Sequence, residues 1–321
     1  MNKKKKVIFV GGSSYSGSTL LDMAISSGPD GFSAGEVYAL FYPWQRWHIE
    51  PRCSCNDKMC SIWTAIKKKG VGRLYFEIFK MFPNIKYIVD SSKDPLWISA
   101  NSKKLKLKGI ECKNILIYKT PLEFAYSKYK RGSTKWKKAW KNYYQLYFSL
   151  IKNPIIIKYS DFVGMPQKYL KIICMQLDIN YFEGKESFWK YNHHTLFGNN
   201  SAKIHLYAKG NERFDEYKNK SDLKKSLNKM KIEDVHRRFY YDQGFINILP
   251  NFIINEVSND HKIKNIQKYL ENNKIGLEIK KNNGGIKKFS LFIIFLFKIR
   301  NEYRKIYSKN YERKLRFKKM L

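Results

Sequence analysis

Residues 7–21 read VIFVGGSSYSGSTLL, and this stretch decides the fold of the chain. The apolar run 7–10 is typical of a short buried strand, and two glycines end it directly afterwards. Apolar residues then recur at helical spacing over residues 20–25, so an amphipathic helix follows the turn. Strand, glycine-rich turn and helix in this order predict the opening unit of an α/β domain.

The glycine-rich turn has the spacing of a P-loop, a phosphate-binding loop. Gly12 and Gly17 stand where the pattern G-x-x-x-x-G-K-[ST] has its glycines, Thr19 is at the hydroxyl position, and Ser18 replaces the lysine. Such turns aim backbone N–H groups at an anion, although a serine-rich helix cap without a ligand would give the same residues. Because NTPases need that lysine together with Mg²⁺, its absence argues against an NTPase.

Three further apolar runs, 87–89, 115–118 and 155–157, carry the β-branched and aromatic residues of buried strands. Their continuous apolar character, with helical segments between them, predicts a three-layer α/β/α fold around a central parallel sheet. Ligands bind beyond the carboxyl ends of such strands, so the residues that follow each run are candidates for a site. We predict this domain over residues 1–250 and a basic helical C-terminal extension over residues 251–321.

The 321-residue chain has the composition of a folded protein with an unusual positive charge. Hydrophobic residues make up 43%, which excludes collagen, low-complexity disorder and small disulfide scaffolds. Lys and Arg number 62 against 27 Asp and Glu, a net charge of +35. An anionic partner is therefore expected: nucleic acid, an acidic membrane surface, a phosphorylated cofactor or an acidic glycan. A compositional bias towards Lys, Asn and Ile along the whole chain explains the charge equally well.

Two features bear on location. No run reaches the roughly 18 consecutive apolar residues of a membrane span, and the run 7–10 is too short for a signal peptide. With five cysteines and no export signal, we expect a reducing cytoplasm. The stretch Phe289 to Phe297 lies between lysines, which predicts either peripheral contact with an anionic membrane or a terminal helix that covers the core.

A second marked turn follows the run 115–118. Thr120 and Glu123 fit a capping box, and Pro121 stands at the first helical position. Lys119 directly precedes this helix start, and Ser127 lies on the same helix face as Thr120. Taken alone, these residues describe an ordinary helix start.

The first turn resembles that of the sulfotransferases that use 3′-phosphoadenosine 5′-phosphosulfate (PAPS), whose loop reads close to x-x-S-G-[ST]-[ST]-L-L. Residues 16–21, SGSTLL, match it. The family usually has Arg or Lys before this serine, and the tyrosine found here leaves open which cation faces the leaving phosphate. The resemblance implies a P-loop-like sulfotransferase fold with PAPS as co-substrate and no metal requirement. It assigns the 5′-phosphosulfate to Ser14, Tyr15, Ser16, Gly17, Ser18 and Thr19.

The same resemblance assigns the 3′-phosphate to the second turn. The family reads R-x-P followed by a serine, and Lys119 and Ser127 occupy those positions. Lysine lacks the bidentate fork of arginine, so we expect looser geometry. A weaker match, of the form H-x-x-x-G-N-x-x-[RK], implies that Gly198 and Asn199 close over the nucleotide while Lys203 adds charge at the 3′-phosphate.

Two residues between these turns are candidates for catalysis. Several family members carry a similar G-E after the first helix, which implies that Glu36 is the base that deprotonates the acceptor hydroxyl. A surface or helix-capping Glu is the alternative. Bacterial members show a similar D-S-S-K, which implies that Lys93 stabilises charge in the reaction. A turn with a hydrogen bond from the backbone to Asp90 would explain the same residues.

Cys53, Cys55 and Cys60 lie close together, with His48 nearby, and four such ligands could hold zinc. The C-x-C…C spacing is not one of the C-x-x-C zinc patterns, so we expect the cysteines to pack a loop and no metal to take part. The paired histidines 193–194 have no third ligand at a suitable spacing and are expected to mark a polar loop.

The sequence therefore predicts an enzyme that transfers a sulfuryl group from PAPS to a hydroxyl, with a carbohydrate or glycolipid as the expected acceptor by family analogy. Two rivals stay open. One is a P-loop kinase of small molecules, which would need Mg²⁺ and ATP. The other is a non-enzymatic protein that binds nucleic acid or anionic membrane through its charge. In the sulfotransferase interpretation no nucleic-acid partner is expected.

Overall fold

Five parallel strands form one sheet within the residues that the structure describes. The structure is a computed structural model that describes residues 5–49, 53–55, 60–207, 247–275 and 291–320. The strands are β1 (Lys6–Gly11), β2 (Gly31–Gly35), β3 (Tyr87–Lys93), β4 (Glu111–Tyr118) and β5 (Ile155–Lys158). Their order across the sheet is β2-β3-β1-β4-β5, and every neighbouring pair is parallel. The predicted parallel α/β sheet is confirmed, and all four predicted apolar runs are strands.

β2 is the strand that the sequence did not predict. Its five residues read GFSAG, in which Phe32 is the one large apolar side chain. β2 lies at the edge of the sheet and pairs with β3 along its backbone. Its extended form therefore depends on a neighbour far away in sequence, because its own residues carry little strand preference.

The helices lie on both faces of the sheet. In chain order they are α1 (Ser18–Ser26), α2 (Tyr38–Phe41), α3 (Ser61–Lys69), α4 (Leu74–Met81), α5 (Pro95–Lys106), α6 (Pro121–Tyr129), α7 (Lys137–Leu150), α8 (Tyr159–Gly164), α9 (Pro166–Leu177), α10 (Asn200–Tyr207), α11 (Asn251–Asn259), α12 (His261–Asn273) and α13 (Leu291–Met320). The predicted capping box of α6 is present. The Glu123 N–H donates to Thr120 Oγ1, and the Thr120 N–H donates to Glu123 Oε2.

Successive side chains of β1 point to opposite faces of the sheet, and each face has its own hydrophobic core. Ile8 and Val10 face a core shared with α1, α8 and α9, whereas Val7 and Phe9 face one shared with α3, α4, α5 and α7. All four side chains are fully buried. A strand that is apolar on both faces is what a covered parallel sheet requires, so the three predicted layers are confirmed.

The strand order places a crevice at the carboxyl edge of the sheet. From β1 the chain passes to β2 on one side, and after β3 it crosses to β4 on the other side. Ligands bind at such a reversal of strand order, beyond the carboxyl ends. The turns at Gly17 and Thr120 follow the ends of β1 and β4 at this edge, whereas residues 90–93, expected to form a turn after a strand, are the last residues of β3.

The first two helices of the C-terminal segment pack on the sheet domain. α11 contacts α6, and α12 contacts α7 and β5. Ile253, Ile263 and Leu270 are buried in the same core as the Phe9 face of β1. This part of the predicted extension therefore shares the hydrophobic core of the domain.

α13 contacts α2 and the start of α5. The ring of Phe297 stacks on Tyr38 at 6.2 Å, and Arg300 donates to the Asp94 carboxylate at 2.8 Å. Phe289 and Ser290 of the predicted apolar stretch lie outside the described residues. Among the helices that the structure describes, none combines the length and the apolar character that crossing a bilayer demands.

Candidate functional site

The turn between β1 and α1 offers hydrogen-bond donors. Gly17 starts the helix from a left-handed backbone (φ 93°), and among the described residues no side chain forms a capping hydrogen bond at this helix start. Ser16 is fully buried, and its Oγ has no hydrogen-bond partner within the described ranges. Buried polar atoms in folded proteins are nearly always paired. The orphaned hydroxyl and the uncapped helix start therefore fit an anion at this turn.

The remaining residues of the turn lie on both sides of Gly17. Ser14 and Tyr15 are exposed at the tip, whereas Ser18 and Thr19 are buried in the first turn of α1. Tyr15 has a positive φ of 65°, a conformation that costs a non-glycine residue about 1–2 kcal/mol. This backbone exposes the Tyr15 ring at the mouth of the crevice.

Tyr15 occupies the position where a cation was expected, and the structure brings cations to its ring. The Arg131 guanidinium lies 4.0 Å from the ring centroid, and the Lys128 ammonium lies 5.4 Å from it. Arg131 also donates from Nη1 to the Ser127 carbonyl at 2.6 Å. The sequence analysis missed Arg131. The signal was its place four residues beyond Ser127, just past the C-cap of α6, from where its side chain reaches the Ser127 carbonyl.

Lys119 and Ser127, which the resemblance assigns to one phosphate, lie together. The Lys119 ammonium donates to Ser127 Oγ at 3.1 Å, and Ser127 Oγ donates to the Glu123 carbonyl at 2.9 Å. Lys119 and Ser127 are both buried, with 2% and 1% of their surface exposed. Burial lowers the pKa of Lys119 from its ordinary value to about 7, against the opposing effect of the Glu123 carboxylate. A nearby anion would restore its charge.

Tyr159 joins the two turns. Its ring lies under the Lys119 ammonium, 4.3 Å from nitrogen to centroid. A methyl group on Gly17 would overlap the same ring. Tyr159 follows β5 directly, so the end of a third strand brings the first turn and the Lys119–Ser127 pair to one space.

Gly198 and Asn199 lie over the first turn. The Asn199 N–H donates to Thr19 Oγ1 at 3.0 Å. Gly198 has φ +84°, and a Cβ there would stand 2.7 Å from Thr19 Oγ1. Lys203 is buried and donates to the Thr195 carbonyl at 2.9 Å. The structure thus brings Gly198 and Asn199 to the turn and places the Lys203 ammonium at the backbone of its own loop.

Glu36 and Lys93 form an ion pair at the ends of neighbouring strands. The Lys93 ammonium contacts Glu36 Oε1, and the two side chains are 18% and 15% exposed. Backbone bonds hold each residue: the Glu36 N–H donates to the Leu196 carbonyl at 2.8 Å, and Tyr143 donates to the Lys93 carbonyl at 2.8 Å. Lys93 has a positive φ of 66°. Both predicted catalytic residues are therefore in one place at the edge of the crevice.

Asp90, three residues before Lys93 in β3, is buried, and both of its carboxylate oxygens accept hydrogen bonds. Tyr75 and Trp97 donate to its Oδ2 at 2.7 and 2.8 Å, and the Ser92 N–H donates to Oδ1 at 2.8 Å. The hydrogen bond from the backbone to Asp90 that was expected of a turn is thus present, but residues 90–93 belong to β3. Burial raises the pKa of Asp90. Its carboxylate organises the end of β3 from within the core.

The three cysteines lie next to His194 and not next to His48, which is nearer to them in sequence. One donor atom from each of Cys53, Cys55, Cys60 and His194 lies within 4.8 Å of all the others. His48 instead packs against aromatic rings on either side, and burial lowers its pKa to about 4. The sequence analysis missed His194 because its thiol neighbours are more than a hundred residues away.

No protein-family model matches the chain, and no curated protein matches it either. Two similar solved structures are sulfotransferase domains, the class that the sequence motifs resemble. The domain from the curacin biosynthetic pathway is 15% identical with a TM-score of 0.44, over 74% of this chain and 97% of that chain. The domain from the Synechococcus PCC 7002 olefin synthase is 16% identical with a TM-score of 0.47, over 78% of this chain and 98% of that chain. At this identity and these TM-scores, we derive the function from the site residues alone.

Proposed function

We propose that the chain transfers a sulfuryl group from PAPS to a hydroxyl of an acceptor. The observation that carries this proposal is the position of Tyr159, which contacts Lys119 and fills the space beside Gly17. Two anion-binding elements, a helix N-terminus and a buried lysine with a serine, thereby border one crevice. A nucleotide with phosphate groups at both ends suits such a pair.

The residues of the crevice suit both ends of this donor. The uncapped start of α1 and the orphaned Ser16 hydroxyl would hold the 5′ end. Lys119 and Ser127 would hold the 3′-phosphate, with Arg131 at the same helix end adding a second cation. When bound, PAPS supplies the sulfuryl group, and adenosine 3′,5′-bisphosphate leaves.

The Glu36–Lys93 pair would carry the chemistry of the acceptor. The acceptor oxygen forms its bond to sulfur as the bond from sulfur to the phosphate oxygen breaks, and the hydroxyl proton passes to the Glu36 carboxylate. Lys93 contacts that carboxylate directly and would neutralise negative charge that develops beside it. This transfer requires one base and one cation, and Glu36 and Lys93 would supply them at the ends of two neighbouring strands.

The contacts of the nearby polar groups favour this function over that of a kinase. NTPases hold Mg²⁺ with a hydroxyl of the loop and an acidic residue, and they neutralise phosphate with the loop lysine. Here Ser18 replaces that lysine, Thr19 Oγ1 accepts the Asn199 N–H, and Asp90 uses both oxygens within the core. A sulfuryl group carries less charge than a γ-phosphoryl group, so its transfer asks for less neutralisation.

A carbohydrate or glycolipid is the acceptor class that we propose. Aromatic rings follow the Glu36 strand end, and Trp47 among them is 53% exposed. Flat aromatic surfaces with polar neighbours suit the apolar face of a sugar ring. A cytoplasmic location and peripheral contact of the C-terminal segment with an anionic membrane stay predictions.

The test is transfer of ³⁵S from labelled PAPS into a host-cell extract, followed by identification of the labelled product. We expect labelling by the wild-type protein without added Mg²⁺, and none by Glu36→Gln. Consumption of ATP that depends on Mg²⁺ would favour the kinase. Binding of any polyanion with a steep dependence on salt, unchanged in Glu36→Gln and without transfer, would favour the non-enzymatic binder.

A further inference from the structure

A cluster of soft ligands lies beside the crevice and takes no part in the proposed reaction. It joins three thiols from residues 53–60 to one imidazole in the loop after the single helical turn Phe188–Lys190. Cys53 and Cys60 are buried, and His194 is half-buried. The other two cysteines, Cys112 and Cys174, lie outside the cluster.

The distances fit one tetrahedral ion. Bonds of about 2.3 Å from zinc to sulfur and about 2.0–2.1 Å from zinc to nitrogen, at the tetrahedral angle, separate a sulfur from a nitrogen ligand by about 3.6 Å. His194 Nδ1 lies 3.6 Å from Cys53 Sγ and 3.7 Å from Cys60 Sγ. His194 Nδ1 therefore lies from both sulfurs at the distance expected for ligands of one shared ion.

Neighbouring bonds hold the two segments in this position. Ser54 donates from its backbone N–H to the Thr195 carbonyl at 3.0 Å and from Oγ to the His193 carbonyl at 2.7 Å. Trp63 Nε1 donates to the His194 carbonyl at 2.8 Å, and the ring of Phe32 stacks on the imidazole. These contacts bring the ligand atoms of the two segments to one place.

The chemistry of the donor set selects the ion. Three cysteine sulfurs and one histidine nitrogen are a common ligand set of structural zinc sites, and soft thiolates disfavour Mg²⁺ and Ca²⁺. Four protein ligands leave no open position for water or substrate, so such an ion is structural. Binding of zinc displaces the three thiol protons and leaves the thiolates as ligands.

We propose that Cys53, Cys55, Cys60 and His194 bind one zinc ion that fastens residues 53–60 to the loop at residues 193–199. This loop carries the Leu196 carbonyl, which holds the Glu36 N–H, and Gly198, which covers Thr19. The ion braces the loop that borders both halves of the crevice. The zinc site does not depend on the sulfuryl-transfer function, and metal content tests it separately.

The first experiment measures metal per chain in full-length protein purified under reducing conditions without chelators. Inductively coupled plasma mass spectrometry should find about one zinc ion per chain in the wild type, as four protein ligands imply. Cys53→Ser, Cys60→Ser and His194→Gln should lose it. The controls Cys112→Ser and Cys174→Ser remove buried thiols elsewhere and should retain it. A wild type without zinc, iron in its place, or full zinc in Cys53→Ser would overturn the site.

The second experiment needs no variant that could fail to fold. Wild-type protein reconstituted with Co²⁺ should show the strong visible and sulfur-to-cobalt charge-transfer absorption of tetrahedral thiolate coordination. Removal of the metal should speed amide hydrogen exchange in residues 193–199 and leave β1 unchanged. Absence of the charge-transfer band would overturn the ligand set, and unchanged exchange in the loop would overturn the bracing role.

Discussion

The Lys93 ammonium group contacts the Glu36 carboxylate, although 57 residues separate them in the chain. Glu36 directly follows β2 and Lys93 is the last residue of β3, and these strands are neighbours in the sheet. The pair sets a carboxylate, the kind of group that can act as a general base, beside a cation at the carboxyl edge of the sheet.

Glu36→Gln should abolish turnover while sparing nucleotide binding. The amide keeps the shape of the side chain but cannot accept the acceptor's proton, so kcat should fall by roughly 10²- to 10⁴-fold. The dissociation constant for adenosine 3′,5′-bisphosphate, measured by calorimetry, should stay within about twofold because Glu36 lies outside both turns that we propose to bind the phosphate groups. Substantial turnover by Glu36→Gln would remove Glu36 from the role of base.

Lys119→Met should weaken bisphosphate binding. Loss of a hydrogen bond from a charged donor costs about 1.5–3 kcal/mol, or roughly 10- to 100-fold in the dissociation constant. Ser127→Ala should cost less, about 0.5–1.5 kcal/mol, because it removes a neutral hydroxyl. Titration calorimetry with adenosine 3′,5′-bisphosphate measures both.

The matched control for Lys119→Met is Lys138→Met, which removes an exposed lysine of α7. It should leave the affinity unchanged. Thermal unfolding should show Lys119→Met as stable as the wild type or more so, since the substitution removes a buried charge. If both variants lose affinity equally, general charge rather than the Lys119 pocket governs binding.

The affinity for bisphosphate should fall as pH rises above about 7. Burial lowers the pKa of Lys119 to about 7, with Arg131 and Lys130 acting in the same direction and Glu123 opposing them. Below that pH the ammonium is already charged. Above it, binding must take up a proton, so the affinity should drop by up to about tenfold per pH unit. Calorimetry at pH 7–9 should show this slope, and Lys119→Met should lack it.

Gly198→Ala should destabilise the loop over the first turn. A Cβ at this position meets Thr19 Oγ1 at 2.7 Å, and the backbone has φ +84°. The matched control is Gly184→Ala, where φ is +81° and a Cβ would meet nothing within 4 Å.

Both alanine variants pay for the positive φ, about 1–2 kcal/mol. Only Gly198→Ala adds the steric overlap, so its loss in the free energy of unfolding, and its loss of bisphosphate affinity, should be the larger. Denaturant unfolding and calorimetry compare them. Equal losses in the two variants would mean that the loop at residue 198 shifts to make room for the added methyl group without displacing Thr19, which would contradict the prediction.

Local signals in the sequence predicted much of this molecule. The run at residues 7–10, the turn at Gly17 and the capping box at Thr120 each depend on residues within one helical turn or one strand. The resemblance to the R-x-P…S motif implied that Lys119 and Ser127 act together, and the structure pairs them. The edge strand β2 gave no such signal, since GFSAG is extended only through its pairing with β3.

The contacts between distant segments came from the tertiary structure. Strand order sets Glu36 beside Lys93 and Tyr159 beside Lys119, and the loop after residue 188 brings His194 to the cysteines. The sequence by itself determined four of the five strands and the turns after β1 and β4, because apolar periodicity and capping act over a few residues. Which side chains meet was decided only in three dimensions, because strand order and register depend on how all the elements pack together.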